Sequence, residues 1–453
     1  MVDRIEKNIL YEDFVARYLK ENKPCIFSSN LIADWKCANS WVKGDHLNTD
    51  FIEKHFVNLT APVMDCNRQY FSSHEKEDMK VSEFIKYWND RDDRLLYLKD
   101  WHLQKLADER FYDIPTFFTS DWLNEYFDRD GKDDYRFLYI GVKGSWTSFH
   151  ADVFRSYSWS ANVCGLKKWI FFPPGEEDKL RDNFGNLPFD VSSLSLDEMD
   201  ITYFVTFQKS GEVIFVPSGW HHQVFNLEDT VSINHNWVNA FIVCTPPPRI
   251  VGGGFAVLGR KFLGGIWKFS GSRWEKQVKV GVNFFRWGSF GVLVNVKVNF
   301  FLSLLYFINN FLLWDLEPPC ILWPFSIGYF WNHLTSTLRS VQKEISDCAE
   351  MDGFDDQCQL ILLSCAGMPY KGFYEMLCYL AIKRLQILES EPDNKRMNAI
   401  FISSQPGVVY NDGKLSKGNK YNQLITDLRM IKEMLLFLTK DSYMQRTINK
   451  VEL

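Results

Sequence analysis

Between Tyr135 and Asn239 the chain is a succession of short runs rich in Val, Ile, Phe, Tyr and Trp, cut by Gly, Pro, Asn and Asp. Such punctuation is the pattern of a β-sandwich or barrel. The runs Tyr135–Val142, His150–Phe154, Trp159–Val163, Lys168–Phe172, Tyr203–Phe207, Glu212–Val216, Gln223–Asn226 and Thr230–Trp237 are predicted as about eight strands. Eight antiparallel strands in two sheets make a jelly-roll or cupin arrangement, so a mainly β core is expected. The stretch Arg181–Ile201 reads as a loop over one edge.

Chemistry-bearing residues punctuate this core. His150 and Asp152 stand two apart in a run that suits extended chain, so period-two alternation predicts both on one face. An imidazole beside a carboxylate suits a borderline metal such as Fe(II). Further on, Val213–Val216, the turn Pro217-Ser218-Gly219, and Trp220-His221-His222-Gln223-Val224 read as strand, tight turn and strand. That return can bring His221 or His222 beside the first pair. Two His and one carboxylate on a β-scaffold form the facial triad that leaves positions open on Fe(II).

The flanking regions read differently. Residues 1–134 mix helices and strands: a helix around Phe14, Tyr18 and Leu19, strands at Cys25–Phe27, Val57–Asp65 and Leu95–Trp101, and helices at Val81–Trp88 (begun by Ser82) and Ser120–Tyr126. Residues 326–453 carry apolar stripes at helical spacing, ending in a helix over Asn422–Lys440 with Leu424, Leu428, Ile431, Leu435 and Leu436 on one face. Such stripes are core or a partner-helix surface, and a homodimer through these helices is the elaboration they allow. Between them, 241–325 is crowded with Phe, Val, Leu, Trp and Gly and holds only Glu275, Asp315 and Glu317 as acids. It reads as an anomalous insertion, such as translated unspliced sequence. Its run Val298–Trp314 has 17 residues without charge, at the lower limit for a membrane span, and three asparagines weaken that reading. A net charge of -6 argues against a direct nucleic-acid binder. Ten cysteines without CxxC spacing suit reduced intracellular thiols. The charged start Met1–Lys7 lacks a signal-peptide core, so cytoplasm, with nucleus as the alternative, is the expected compartment.

His150-x-Asp152, then Gly165-Leu166-Lys167-Lys168-Trp169-x-Phe171-Phe172-Pro173-Pro174, then Val216-Pro217-Ser218-Gly219-Trp220-His221-His222-x-Val224-x-Asn226-Leu227 resembles the JmjC family of Fe(II)- and 2-oxoglutarate-dependent oxygenases. The resemblance implies a double-stranded β-helix with N-terminal α/β elements and a C-terminal helical region. It implies His150, Asp152 and His222 as iron ligands, His222 rather than His221 because the family's Pro-x-Gly-Trp-x-His places the ligand last. Lys167 matches the cation for the distal carboxylate of 2-oxoglutarate, and Thr147 the hydroxyl donor. Tyr139, Ser160, Asn234 and Asn236 are further candidates around the cosubstrate, and Lys168 reads as solvated. A dicarboxylate held in a narrow barrel needs its far charge paired and hydrogen-bonded.

The spelling Ser156-Tyr157-Ser158-Trp159-Ser160-x-Asn162-Val163-x-Gly165 and Ser232-Ile233-Asn234-His235-Asn236-Trp237-Val238-Asn239 looks most like the jumonji-domain-containing protein four group. That resemblance implies hydroxylation of a lysine in the peptide-chain release factor that reads stop codons, with O2 consumed and 2-oxoglutarate converted to succinate. A JmjC N-methyl-lysine (histone) demethylase is the alternative, since it uses the same residues, but no Cys/His zinc module of the kind such enzymes carry is legible. The segment 241–325 departs from the group's pattern, and an inactive insertion-bearing form is the second alternative.

Overall fold

The computed structural model describes residues 2–239 except 7–8, 29–30, 45, 130 and 132–133, then 267–270 and 273–276, 329–390 except 347–348 and 350–352, and 417–438. The expected insertion and its run 298–314 therefore lie outside the described residues, apart from an antiparallel hairpin pairing Trp267–Ser270 with Arg273–Lys276. Among the described residues no helix is long and apolar enough to cross a membrane.

The N-terminal region supplies β1 (Asp3–Ile5), β2 (Cys25–Phe27), a small hairpin of β3 (Val42–Lys43) and β4 (His46–Leu47), β5 (Thr60–Tyr70), β6 (Ser73–Lys80) and β7 (Leu96–Trp101). The core follows with β8 (Arg136–Gly141), β9 (Tyr157–Cys164), β10 (Lys167–Phe172), β11 (Phe204–Gln208), β12 (Val213–Val216), β13 (His221–Asn226) and β14 (Thr230–Trp237). Nine strands build one sheet in the order β1-β2-β12-β9-β14-β8-β7-β5-β6, and three build a second, β11-β10-β13. Only β1 and β2 run parallel within these two sheets. This is the cupin-type two-sheet fold, extended rather than closed into a barrel: strands from residues 1–134 lengthen the large sheet on both sides of the core strands.

The strand sequences explain their places. β9 and β14 are buried throughout and sit in the middle of the large sheet, as near-continuous apolar and small-polar runs should. β6 ends the sheet and exposes Glu75, Lys76, Glu77 and Asp78, charges that discourage edge pairing with another chain. The β9–β10 turn needs Gly165, because its φ is +80° and a Cβ there would lie 2.1 Å from the Asp229 carbonyl oxygen.

Several boundaries depart from expectation. Val57–Leu59 follows the helix Thr49–Phe56 instead of starting a strand, and β5 begins at Thr60. Numbering helices in order, α1 is Tyr11–Phe14, α2 Lys36–Ser40, α3 Thr49–Phe56 and α4 Val81–Asn89. Residue Lys80, not Ser82, caps α4, and the Glu83 carboxylate accepts the Lys80 N–H at 3.4 Å. The predicted strand His150–Phe154 is not one. His150 forms a single bridge to His222, and Val153–Arg155 is a 3-10 turn in which Phe154 and Arg155 have φ of +57° and +50°. The core thus has seven strands plus that bridge.

The remaining helices are α5 (Leu103–Leu106), α6 (Trp122–Asp128), α7 (Tyr329–Glu344), α8 (Phe354–Ala366), α9 (Tyr370–Glu389) and α10 (Lys417–Leu438). Leu424, Leu428, Ile431 and Leu435 of α10 are buried in one apolar cluster with Leu377 and Leu380 of α9 and Trp122 of α6, so this stripe is core within the chain; Leu436 is only half-buried. A buried polar clasp fixes the docking. Asp427 accepts from Arg384 Nε at 2.8 Å and from Trp122 Nε1 at 3.1 Å, while Arg384 also pairs with Glu125 at 3.1 Å. Such a pair specifies geometry more than it adds stability.

Candidate active site

A narrow cavity opens between the two sheets, lined by Tyr97, Lys99, Tyr139, Ser160 and Asn234 from the large sheet and Lys167, Trp169, His222 and Val224 from the small one, with Thr147, His150 and Asp152 from the intervening segment. Strand alternation decides which side chains enter it. On β10, Lys167 and Trp169 face inward while Lys168 turns out over the Phe225 ring. On β13, His222 and Val224 face inward while His221 faces away, against Glu177 and Arg155.

At one end stand His150, Asp152 and His222, whose potential ligand atoms all lie within 4.8 Å of one another. The backbones of His150 and His222 exchange both hydrogen bonds, at 3.1 and 2.7 Å, which brings the rings to 4.5 Å between centroids. His150 Nδ1 lies 2.7 Å from the Ser148 carbonyl and His222 Nδ1 3.1 Å from the Trp220 carbonyl. A carbonyl only accepts, so each Nδ1 carries the hydrogen and each Nε2 keeps its lone pair for a metal. Burial, reinforced by His222, holds the His150 imidazole far below its usual pKa, so it is neutral, as a ligand must be. Asp152 accepts from Ser158 Oγ at 2.7 Å, which orients its carboxylate.

At the other end Lys167 is buried, its ammonium 3.0 Å from Asn226 Oδ1 and 3.3 Å from the Tyr97 hydroxyl. Burial lowers its pKa to about 7. Among the described residues no carboxylate pairs with it, and a buried cation facing a cavity without a counter-ion asks for an anionic ligand. Thr147 Oγ1 accepts the Val224 N–H at 3.1 Å, leaving its own O–H to donate. The donor set fits iron at one end and a dicarboxylate reaching from the metal to Lys167 at the other.

Of the remaining expected residues, Tyr139, Ser160 and Asn234 line the cavity; the Tyr139 hydroxyl donates to Asp100 at 3.0 Å. Asn236 does not reach it. Its side-chain amide donates to Ser156 Oγ at 3.1 Å and its backbone carbonyl accepts from the Asn124 amide at 2.9 Å, so buried-network duty claims it. Sequence reasoning missed Tyr97, Lys99 and Ser158. Tyr97 and Lys99 alternate on a strand that was legible, which put them on one face, but nothing in the sequence aimed that face at the cavity.

Fold and site together define a metal-dependent oxygenase of the cupin class. The JmjC family model, described as "JmjC domain, hydroxylase", matches residues 137–237. The chain is 37% identical over 412 residues to the 2-oxoglutarate and iron-dependent oxygenase JMJD4 of Gallus gallus, covering 87% of this chain and 77% of that protein. It is 34% identical over 401 residues to the protein of the same name in Homo sapiens, covering 83% and 75%. It is also 42% identical over 271 residues to the arginine-specific demethylase JMJ20 of Arabidopsis thaliana, covering 53% and 58%. The chain belongs to the JMJD4 family of JmjC 2-oxoglutarate and iron-dependent oxygenases.

Proposed function

We propose that this oxygenase hydroxylates a lysine side-chain carbon of a protein, with the peptide-chain release factor of translation termination as its substrate. The observation that carries the oxygenase chemistry is the cavity with a His-Asp-His set at one end and, at the other, a buried lysine that no carboxylate among the described residues pairs with. The substrate reading is supported by the group-specific spelling around Ser156–Gly165 and Ser232–Asn239, and by similarity to JMJD4 oxygenases that extends far outside the JmjC core.

Bound iron supplies the oxidising chemistry, coupled to loss of CO2 from 2-oxoglutarate. The protein's own residues do the rest. His150, Asp152 and His222 would hold the iron. Lys167, Tyr97 and Thr147 would hold the far carboxylate of 2-oxoglutarate, and Trp169 and Val224 line the cavity with apolar surface that limits water. A substrate in translation termination would put this activity in the cytoplasm. A homodimer through the C-terminal helices uses surfaces other than the α10 stripe, which is spent on α9 and α6.

A second reading is favoured by the JMJ20 similarity: oxidation of an N-methyl group, followed by its loss, needs the same residues. Mass spectrometry of release-factor peptides and of methylated histone peptides, incubated with protein, Fe(II), 2-oxoglutarate and O2, separates the two. Gain of one oxygen on an unmodified lysine supports hydroxylation. Loss of a methyl group with no oxygen gained on lysine overturns it.

A further inference from the structure

The chain leaves Asp152 through an unusual turn. Phe154 and Arg155 both hold left-handed φ values, +57° and +50°, a conformation that non-glycine residues keep only where the surroundings enforce it. Two contacts enforce it here. On one side the Arg155 guanidinium lies 3.2 Å from His221 Nε2, beside the ligand His222, and its carbonyl accepts from Ser218 Oγ in the turn before that ligand. On the other side the Phe154 ring is buried, packs edge-on to Tyr135 at 5.1 Å, and covers Gly367 at the C-terminal end of α8. A Cβ on Gly367 would lie 2.4 Å from Phe154 Cε1 and 3.0 Å from Cδ1. α7 packs along the same turn.

We propose that the C-terminal helices α7 and α8 position the metal ligand Asp152, through Phe154 seated on Gly367. The strands of the two sheets alone do not complete the metal site: the turn that aims Asp152 is shaped by helices that follow residues 240–328, so both sides of that segment must be in place for the triad to close. Phe154 and Gly367 are positioning residues and touch neither metal nor cosubstrate. The inference rests on the triad holding a metal.

The test is Co(II) titration of the full-length protein under anaerobic conditions, reading affinity and the visible d–d spectrum, with thermal melting in parallel. Gly353→Ala is the control. Gly353 caps the other end of α8 with φ of +82°, like the +76° of Gly367, so both substitutions strain the backbone alike, but nothing lies within 4 Å of a Cβ at Gly353. Gly367→Ala is expected to weaken Co(II) binding about 10- to 100-fold, the range of outer-shell changes, and to shift the spectrum, while Gly353→Ala matches the wild type in both. Phe154→Leu, which keeps an apolar side chain but removes the ring edge, is expected to weaken binding in the same direction and covers the case in which Gly367→Ala does not fold. Equal affinity and spectrum in all folded variants overturns the inference. A wild-type protein that binds no Co(II) overturns the metal reading itself.

Discussion

The two ends of the cavity are built on different scales. At the metal end the supporting groups are close in sequence to what they support: Ser148 steadies His150, Trp220 steadies His222, and Ser158 steadies Asp152. At the cation end the partners come from afar. Lys167 meets Tyr97 of β7 and Asn226 of β13, and Thr147 meets Val224. Each metal ligand is oriented by a neighbour in its own segment, with the turn after Asp152 braced by α7 and α8, whereas the cosubstrate end takes its partners from strands of both sheets and exists only when these are in register. The lesson is that metal binding and cosubstrate binding fail through different lesions, and substitutions can pull them apart.

The largest separation is expected from Asp152→Ala. It removes one of three ligands, and is predicted to abolish both Co(II) binding and 2-oxoglutarate turnover, while the melting temperature without metal stays close to wild type because, among the described residues, the carboxylate's side-chain hydrogen bond is to Ser158 alone. A variant that keeps turnover would break the assignment of the metal end.

Lys167→Met probes the opposite end. Losing the partner of a buried charge costs about 3–5 kcal/mol, so 2-oxoglutarate affinity should fall roughly 10²- to 10³-fold with Co(II) affinity unchanged. Stability should move the other way: without ligand the wild-type ammonium is buried with two neutral partners only, so the Met variant is expected to melt higher. The pH sign follows. Lys167 has a pKa near 7 in the fold against about 10.4 when unfolded. Between these values the unfolded chain holds the extra proton, so this group makes the ligand-free protein more stable as pH rises from about 7 to about 10. Binding a carboxylate needs the protonated form, so 2-oxoglutarate affinity should weaken above pH 7, and Lys167→Met should flatten that profile in isothermal titration.

The same contrast explains what the sequence disclosed. His150 and Asp152 were legible as a closely spaced pair of metal-ligating side chains, and His222 rather than His221 through the resemblance to Pro-x-Gly-Trp-x-His; the alternation of β13 places His222 inward. Lys167 was legible from its motif. Tyr97 was not, because its role depends on β7 pairing with β8, Leu98 opposite Ile140, and no local pattern states which strands neighbour one another. The segment after Asp152 was misread for a related reason: Val153 and Phe154 suit a strand by composition, yet packing of Phe154 on Gly367 turns the chain into a left-handed conformation. Asn236 shared a strand face with Asn234, as alternation requires, but its side-chain amide donates to Ser156 instead of lining the cavity.

Ser158→Ala sharpens the metal end. It leaves the triad intact and removes only the hydroxyl at 2.7 Å from Asp152, so Co(II) affinity should drop about 10- to 100-fold with 2-oxoglutarate affinity, measured at saturating metal, unchanged. A parallel loss of both would mean that the two ends are not separable.

The smallest effect is expected from Thr147→Val, and it tests the cation end without touching its charge. Two tasks fall to the hydroxyl in the proposed site: its oxygen takes the Val224 N–H, and its O–H is free to donate to a bound cosubstrate. Valine keeps the shape and loses both. One net hydrogen bond is worth about 0.5–1.5 kcal/mol, so 2-oxoglutarate affinity should fall roughly 3- to 10-fold, and the orphaned Val224 N–H should cost about 1–3 kcal/mol of stability in urea unfolding. Thr147→Ser keeps both hydrogen bonds and should restore affinity and stability together. If Ser rescues stability but not affinity, the hydroxyl is a structural prop for β13 and the cosubstrate is held by Lys167 and Tyr97 alone. If it rescues both, Thr147 belongs to the cosubstrate end in its own right, and Co(II) affinity should have stayed level throughout, because Thr147 lies on the far side of the division between the two ends.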